Sequence, residues 1–420
     1  MKLLVVGSGG REHAVIRKLK ENKEIEKIYC APGNGGISAD AECVDIKATD
    51  KENMVKFAKE NAIDFCVVTP DDPLALGMVD VMEEAKIPCF GPKANAAIIE
   101  ASKAFSKDLM KKYGIPTADY ETFDNEKDAL HYIEEKNTFP IVIKADGLAL
   151  GKGVLICETL DDAKTALREM MVEHVFGLSG NKVVVEEFMT GKEVSVLAFT
   201  DGNVVKPMIS SMDHKRAYDN DEGLNTGGMG TIAPSPYYTK EIAETCMETI
   251  FLPTVKAMNA EGRTFKGCLY FGLMLTPKGP RVVEYNCRFG DPETQVVLPL
   301  LNSDLLTIMK ACHDGTLKDV DVVWSEEACA CVVEASGGYP VKYEKGFEIH
   351  GLDENGQHDG VIVYHAGTKK ENGKFYTNGG RVLGITAKGA TLQDALDKAY
   401  EAVKEIGFDK MHYRTDIGKK

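Results

Sequence analysis

The chain has 420 residues and a formal net charge of −15, and 44% of its residues are hydrophobic while 27% are charged. This length predicts two to four domains, because a single hydrophobic core stops growing at about 250–300 residues. An acidic chain is repelled by nucleic acid and by anionic membranes, so neither is an expected partner. A local basic pocket for a small anion is compatible with this charge.

The 11 cysteines are scattered along the sequence, and no two of them form a CxxC pair. Reduced structural thiols in a cytoplasmic protein are therefore expected, rather than disulfides or a metal site. The stretch before Gly7 is too short for a signal peptide, and no apolar run approaches the length of a membrane span.

The first 100 residues alternate short apolar runs with helical patterns. Strands are predicted at 2–6, within 25–36, at 64–70 and at 86–92, and helices within 7–19, at 52–60 and at 73–85. This alternation indicates a parallel sheet with helices on both faces. Residues 1–100 are therefore expected to form a Rossmann-like domain.

The rest of the chain predicts α+β units, so the expected fold class is α/β and α+β multidomain. A small unit at 120–189 has a helix opened by Asp124, a glycine loop between two strands, a helix at about 160–172 and a strand at 182–189. A core unit at 101–119 plus 190–324 has helices at 102–113, 240–261 and 292–313 and strands at 193–202, 203–212 and 266–289. Residues 325–420 predict short alternating strands and a final helix at 392–405, as in a separate cap domain.

A glycine loop at 144–153, KADGLALGKG, follows the apolar run IVI. It differs from the usual phosphate loop, because only three residues separate its first glycine from Gly151–Lys152, and Gly153 follows the lysine. A flexible hairpin of this kind can fold over a triphosphate as a lid, while Lys144 on the preceding strand points an ammonium at phosphate oxygens. The alternative is a surface hairpin with a solvated lysine.

The segment GSGGREH at 7–13 ends a predicted strand and opens a predicted helix. Backbone amides at such a helix N-terminus can hold phosphate. Glu12 stands where a dinucleotide fingerprint needs its third glycine, which favours a phosphate-bearing small molecule. The turn GNGG at 33–36 is expected to form a second wall, and the alternative is a tight turn without ligand. The candidate residues of this substrate site are Gly9, Gly10, Arg11, Asn34 and Gly35.

The string VVEYNCRFGDPE at 282–293 places Glu284, Asn286 and Arg288 two residues apart. If the strand continues, all three side chains point to one face. A carboxylate beside an amide oxygen suits Mg²⁺, which takes its other ligands from phosphates and water, and Arg288 adds positive charge beside the same phosphates. The alternative is an ordinary half-exposed strand, although asparagine is disfavoured there.

Two further segments carry polar clusters. The strand end VVVEEFMTGKE at 183–193 can offer backbone groups and Glu186 to an adenine edge, and Glu193 to ribose hydroxyls. The segment 213–236 begins with DHKR, and its glycine nest can bring backbone amides close to a carboxylate or phosphate. The alternatives are solvated acids at a strand end and a loop without ligand. The candidates in the second segment are Asp213, Lys215, Asn225, Thr226 and Gly227.

Read in order, these strings resemble the ATP-grasp superfamily, in which two α+β subdomains clamp ATP between them. VGSGGREHA, KAF at 103–105, IKADGLALGKGV, EEFMTGKEVSV, DHKR, NTGGMG and EYNCRFGDPETQ are similar to segments of the glycinamide ribonucleotide synthetase family, over nearly the whole chain. The resemblance implies a ligase of de novo purine biosynthesis that uses ATP to join glycine to 5-phosphoribosylamine through a glycyl phosphate. It also implies Mg²⁺ or Mn²⁺ as the metal and a cytoplasmic monomer.

The resemblance assigns roles by position. Lys103 and Lys144 correspond to phosphate ligands, Glu186 with the backbone near Met189 to the adenine site, and Glu193 to the ribose ligand. Glu284 and Asn286 correspond to the metal ligands. The candidate catalytic residues are Arg288, Lys215 and Asp213, and the nucleotide-site candidates are Lys103, Lys144, Gly151, Lys152, Gly153, Glu186, Glu187, Met189 and Glu193.

Two departures from the family pattern bear on the site. The family shows a Gly-Pro-Glu-like turn before PLAxG, whereas TPDDPLALG at 69–77 places Asp72 at the glutamate's position as a candidate substrate ligand. The strand 268–276 carries no acid, so a second metal depends on Glu284 and Asn286 or on another loop. The rival interpretations are another ATP-grasp ligase or carboxylase, a nucleotide-binding sensor without turnover, and a dehydrogenase.

Overall fold

The N-terminal region is a parallel sheet in a computed structural model that describes residues 1–149 and 152–419. Its elements are β1 Lys2–Gly7, α1 Gly10–Leu19, β2 Lys27–Pro32, β3 Glu42–Cys43, α2 Lys51–Glu60, β4 Phe65–Val68, α3 Asp71–Ala75, α4 Met78–Glu84, β5 Cys89–Phe90 and α5 Ala94–Ala101. The strand order is β3-β2-β1-β4-β5, and each pair is parallel. Leu3 and Val5 of β1 pack into one core and Leu4 and Val6 into another, so both faces are covered as predicted.

The next region contains a four-stranded antiparallel sheet with two helices against it. Its elements are α6 Lys103–Tyr113, β6 Tyr120–Phe123, α7 Glu126–Lys136, β7 Ile141–Ala145, β8 Val154–Cys157, α8 Leu160–Leu167 and β9 Val183–Glu187. The order is β6-β9-β7-β8, so the predicted glycine loop does join two adjacent strands, β7 and β8. Asn125 caps α7 instead of the predicted Asp124, because its side-chain oxygen accepts the amides two and three residues on.

A second four-stranded antiparallel sheet forms the centre of the chain. The elements of this region are β10 Lys192–Thr200, β11 Val205–Pro207, β12 Met212–Asp213, β13 Arg216–Tyr218, β14 Glu222–Asn225, β15 Gly230–Ala233, α9 Lys240–Cys246, α10 Leu252–Ala260, β16 Gly267–Thr276, β17 Gly279–Asn286, α11 Glu293–Val297 and α12 Leu305–Asp314. The sheet order is β11-β10-β16-β17. A π-helical turn, Met247–Phe251, joins α9 to α10 and keeps the predicted helix 240–261 continuous.

Two predicted helices are broken in the structure. The helix predicted at 73–85 is divided into α3 and α4 by Gly77, which adopts a left-handed conformation with φ +87°. The helix predicted at 292–313 is divided into α11 and α12, because Leu301 is extended with ψ 119° after a short 3₁₀ turn. Asp304 then caps α12 with its side chain.

The C-terminal region adds β18 Ala328–Ser336, β19 Ile362–His365, β20 Thr368–Glu371, β21 Lys374–Thr377, β22 Arg381–Gly389, α13 Leu392–Val403 and β23 Met411–His412. Its main sheet has the order β12-β15-β18-β22-β19, with β23 beside β18, so it includes two strands from before residue 325. All nine residues of β18 are buried. The prediction of short alternating strands is wrong for β18, since both of its faces pack into hydrophobic cores.

The N-terminal and C-terminal regions are in direct contact. His13 of α1 is fully buried, and its Nδ1 accepts the backbone N–H of His365 at 2.9 Å. The same histidine lies 2.9 Å from Asp40 through its Nε2. Within residues 1–149 and 152–419, no helix is both long enough and apolar enough to cross a membrane.

Candidate active site

A cavity of about 850 Å³ opens where the N-terminal, central and C-terminal regions meet. Polar and charged side chains from widely separated parts of the sequence line it. The predicted site residues among them are Arg11, Lys103, Lys144, Lys152, Gly153, Glu186, Glu193, Asp213, Lys215, Asn225, Thr226, Gly227, Glu284, Asn286 and Arg288. Most of the predicted site therefore converges on one space.

The strand β17 supplies one wall of the cavity. Its pairing with β16 shifts register between Val282 and Glu284, so a β-bulge lies immediately before Glu284. The carbonyl of Val283 in this bulge accepts the Nζ of Lys144 at 3.1 Å. Arg288 lies beyond the strand but lines the same cavity, and its Nη2 is 3.4 Å from the amide oxygen of Asn286. The strand ends at Asn286, so the predicted common strand face is confined to Glu284 and Asn286, and Arg288 reaches the same cavity from the segment that follows.

Glu284 and Asn286 fit a divalent cation by their chemistry. Burial by itself raises the pKa of Glu284, but the charges of Lys215, Lys144 and Lys103 outweigh it and lower the pKa below its ordinary value. The group is therefore an ionised carboxylate next to an amide oxygen, which are hard oxygen ligands. No cluster of three or more His, Cys, Asp and Glu side chains suited to a metal was found in the described part of the chain. Any ion held here takes its remaining ligands from phosphate and water.

Three nearly buried side chains, Lys107, Lys144 and Glu186, form an ion cluster in the cavity lining. Lys144 Nζ lies 3.0 Å from Glu186 Oε2, and Lys107 Nζ lies 3.7 Å from Glu186 Oε1. Glu186 Oε1 makes no hydrogen bond to a described residue. A buried acceptor without a donor costs about 1–3 kcal/mol, so this oxygen is a natural position for an N–H of a ligand. The adenine role expected for Glu186 stays a prediction.

Lys107 is a site residue that the sequence reasoning missed. It donates to Thr117 Oγ1 at 2.7 Å and to the carbonyl of Ala118 at 2.9 Å, and it lines the cavity. Its position four residues after Lys103 places both lysines on one face of α6. This spacing of four residues could have identified Lys107 as a site residue from the sequence. Lys103 itself donates to the carbonyl of Gly147 at 2.9 Å and so contacts the start of the glycine loop.

We predict a pH-dependent contribution of Lys107 to stability. Burial outweighs the attraction of Glu186 and lowers the pKa of Lys107 from its usual 10.5 to about 8. Between these values the unfolded chain holds a proton that the folded chain has released, so stability rises with pH through this window. Relative to Lys107→Met, the wild type should gain about 2 kcal/mol between pH 8 and pH 10.5, measured by urea unfolding. Lys111→Met, on the exposed face of the same helix, is the control and should show no such trend.

The remaining wall carries acids and the lysine of the DHKR string. Lys215 Nζ lies 3.2 Å from Glu193 and 3.9 Å from Glu284, and Glu193 is the main cause that raises the pKa of Lys215 well above its usual range. Burial, followed by the charge of Glu293, raises the pKa of Asp213 well above its usual range. A cationic amine bound beside Asp213 would favour the ionised form of that carboxyl.

Gly9 and Gly10 lie at the start of α1 as predicted, but backbone amides there donate hydrogen bonds to carboxylates of the protein itself. The Gly9 amide donates to Glu12 Oε2, and the Arg11 amide donates to Asp291 Oδ2 at 3.2 Å. A Cβ on Gly10 would lie 2.5 Å from Gln295 Nε2. The two glycines therefore allow close packing between α1 and residues 291–295, whereas the side chain of Arg11 reaches the cavity.

Asn34 and Gly35 form part of a contact between two regions rather than a wall of the cavity. Asn34 Nδ2 donates to the carbonyls of Ser8 at 2.9 Å and His365 at 2.8 Å. The Gly35 amide donates to the carbonyl of Thr368 at 3.0 Å, and a Cβ there would meet the backbone of the next residue. The glycine turn was misread because tight interdomain packing and phosphate binding demand the same small residues.

Three other predicted residues also lie away from the cavity lining. Asp72 is exposed, and the preceding Asp71 lines the cavity in its place. Glu187 follows Glu186 on β9 and so faces outward, where its carboxylate lies 3.6 Å from Arg281. Met189 is partly buried outside the lining. The prediction for Gly151 falls outside the described residues.

The antiparallel sheet β6-β9-β7-β8, the central sheet and a lysine-lined cavity, with a carboxylate–amide pair on β17, define an ATP-grasp enzyme. Comparisons with known proteins specify the family. The phosphoribosylglycinamide synthetase N domain matches residues 1–100, the ATP-grasp (A) domain 101–294 and the C domain 329–420. The chain belongs to the phosphoribosylglycinamide synthetase family.

Similar proteins support this assignment over the full length of the chain. A phosphoribosylamine–glycine ligase of Caldanaerobacter subterraneus subsp. tengcongensis is 49% identical over 417 residues, with 99% of each chain covered. One of Clostridium acetobutylicum is 48% identical over 419 residues, with 100% of each chain covered. The crystal structure of a phosphoribosylamine–glycine ligase from Thermotoga maritima has a TM-score of 0.87 at 33% identity, with 100% of each chain covered.

A more distant structure shares the fold. The biotin carboxylase domain of Hydrogenobacter thermophilus 2-oxoglutarate carboxylase, solved in complex with MgADP, has a TM-score of 0.74 at 18% identity. It covers 98% of this chain, which covers 91% of that domain. The predicted family, fold class and enzyme class are confirmed: this is an ATP-dependent ligase of purine biosynthesis that forms a C–N bond. The carboxylase, sensor and dehydrogenase alternatives are set aside, and ATP with a divalent cation is supported.

Proposed function

We propose that this chain joins glycine to 5-phosphoribosylamine, giving glycinamide ribonucleotide, ADP and phosphate, and that it does so as a cytoplasmic monomer. The observation that carries the proposal is a single cavity with two chemically different ends. One end gathers Lys103, Lys107, Lys144 and Glu186, which suit a nucleotide. The other gathers Asp213 and the loop 225–228, which suit a small substrate that carries an amine.

The chemistry follows from the poor leaving group of a carboxylate. Glycine's carboxylate oxygen attacks the γ-phosphorus of ATP, the bond to ADP breaks, and glycyl phosphate forms. The amine of phosphoribosylamine then attacks the glycyl carbonyl, a proton leaves that nitrogen, and phosphate departs. Little covalent help is needed, so positioning and charge neutralisation carry the catalysis.

Particular side chains are proposed for the phosphoryl transfer. Lys103 and Lys144 would neutralise phosphate oxygens, and Arg288 would stabilise the charge on the transferred group. Glu284 and Asn286 would hold Mg²⁺ or Mn²⁺, which supplies positive charge to the phosphates when bound. These groups line one continuous wall of the cavity.

The nucleotide and substrate contacts follow the same geometry. Glu186 and the backbone near Met189 would bind adenine, and Glu193 would bind the ribose. Asp213 would receive an amine, and Arg288 would receive the glycine carboxylate, since the amides of 226–228 already donate to Lys215, Tyr339 and Thr226. Lys152 and Gly153 line the cavity from the glycine hairpin, which we propose as the lid that excludes water from the acyl phosphate.

The proposal predicts ADP release only when both small substrates are present. Glycine and freshly made phosphoribosylamine are supplied together and singly with ATP and Mg²⁺, and ADP is measured. ADP with phosphoribosylamine but without glycine would indicate a different acyl donor. Absence of ADP under every combination would contradict the proposed function.

A further inference from the structure

Arg381 crosses from the C-terminal sheet into the wall of the cavity. It is the first residue of β22, and its side chain is 21% exposed. No motif in the sequence marks Arg381, since it lies more than ninety residues after Asn286 and belongs to no nucleotide motif. Its position among the cavity residues raises the question of what its guanidinium binds.

The guanidinium of Arg381 donates hydrogen bonds to backbone carbonyls of two chain segments. Nη1 donates to the carbonyl of Gly227 at 2.8 Å and to that of Asp291 at 2.9 Å, with a longer contact of 3.4 Å to Gly228. Nη2 lies 3.5 Å from Asp291 Oδ1. A planar fork of donors can hold two chain segments at a fixed separation, which a single ammonium cannot.

One of these segments carries part of the proposed substrate site, and the other lines the same cavity at Asp291. Gly227 belongs to the loop 225–228, and its amide donates to the hydroxyl of Tyr339 at 3.0 Å. A Cβ on Gly227 would lie 2.8 Å from Arg381 Cζ, so only a residue without a side chain allows this approach. The C-terminal region therefore binds both backbone groups of Gly227: Arg381 binds its carbonyl and Tyr339 accepts its amide.

Asp291 extends the junction to the N-terminal region. Its Oδ2 accepts the Arg11 amide at 3.2 Å, and its Oδ1 accepts Gln295 Nε2 at 2.9 Å. Burial by itself raises the pKa of Asp291, but the charges of Arg381 and Arg11 outweigh it and lower the pKa below its ordinary value. An ionised Asp291 thus links the start of α1 to Arg381.

We propose that Arg381 is a positioning residue that sets the geometry of the substrate end of the cavity by fixing the loop 225–228 against Asp291 and α1. The inference rests on the proposed function. Arg381 is expected to affect the KM of glycine and of phosphoribosylamine, because the loop 225–228 that it holds lines the substrate end of the cavity. Among the described residues, no hydrogen bond or ion pair joins Arg381 to Lys107, Lys144 or Glu186, so the nucleotide end should be unaffected.

The test uses Arg381→Lys in the full chain, with Arg263→Lys as the matched control. Arg263 also joins two regions, since its Nη1 donates to the carbonyl of Asn95 at 2.8 Å, but it lies outside the cavity lining. For Arg381→Lys we expect the KM of glycine or of phosphoribosylamine to rise about tenfold or more, with the KM of ATP within about twofold. Gly227→Ala, whose Cβ would displace the guanidinium, should shift the same constants.

A second readout does not depend on turnover. Hydrogen exchange of the amides at 226–229, which are hydrogen-bonded in the structure, should accelerate in Arg381→Lys and not in Arg263→Lys. Faster exchange together with a selective rise in a small-substrate KM supports the proposal. Unchanged exchange, unchanged constants or a parallel rise in the KM of ATP overturns it. A wild type without ADP release would contradict the proposed function, and exchange would still decide whether Arg381 orders the loop.

Discussion

Glu284→Gln is expected to lower kcat for ADP release by at least about 1,000-fold at saturating substrates. The substitution keeps the size of the side chain and removes the charge that the proposed metal site depends on. Lys215 keeps Glu193 at 3.2 Å and Lys144 keeps Glu186 at 3.0 Å, so the neighbouring lysines retain ion partners. The variant should therefore fold and still bind ATP in the absence of metal.

The measurement is a metal titration of turnover, with ATP binding followed separately by calorimetry. Glu348→Gln is the matched control, because Glu348 pairs with Lys374 at 2.9 Å in the C-terminal region, away from the cavity. That variant should keep wild-type turnover. If Glu284→Gln retained more than about a tenth of wild-type turnover, the metal would have to be held by another loop.

The N-terminal sheet and the shared face of Glu284 and Asn286 on β17 could be predicted from sequence, because both depend on local periodicity. β1, β2, β4 and β5 are short apolar runs between helical patterns, and this alternation predicts a parallel sheet. It predicts neither the two-residue strand β3 nor the strand order. Glu284 and Asn286 share a face because their spacing matches the strand period. The bulge at Val283, whose carbonyl accepts a hydrogen bond from Lys144, could not be predicted from that spacing.

The parts that sequence reasoning missed are brought together by tertiary packing. Arg381 and Tyr339 reach the loop 225–228 from a sheet formed by strands on both sides of residue 325. Asn34 and Gly35 were read as a phosphate wall, but their hydrogen bonds go to His365 and Thr368. A glycine-rich turn indicates that another group lies close to its backbone. It does not indicate whether that group is a ligand or another strand of the protein.

Lys144→Met is expected to destabilise the protein and to impair ATP binding, for separable reasons. Lys144 and Glu186 are about 5% and 4% exposed, and their charges face each other at 3.0 Å. Removing the lysine leaves a buried carboxylate with Lys107 as its partner at 3.7 Å. Breaking a buried pair from one side typically costs about 3–5 kcal/mol, and the remaining lysine should reduce the loss in unfolding free energy to about 2 kcal/mol.

The double variant Lys144→Met/Glu186→Gln separates these two effects. Neutralising the carboxylate removes the uncompensated charge, so most of the unfolding free energy lost in Lys144→Met should return. The affinity for ATP should not return, because both the phosphate-facing ammonium and the proposed adenine acceptor are then absent. Lys164→Met, which changes an exposed lysine 3.9 Å from Glu134 in the same subdomain, controls for the loss of a surface charge. Urea unfolding and ATP calorimetry measure the two quantities, and recovery of ATP affinity in the double variant would show that Lys144 acts only as a counter-ion of Glu186.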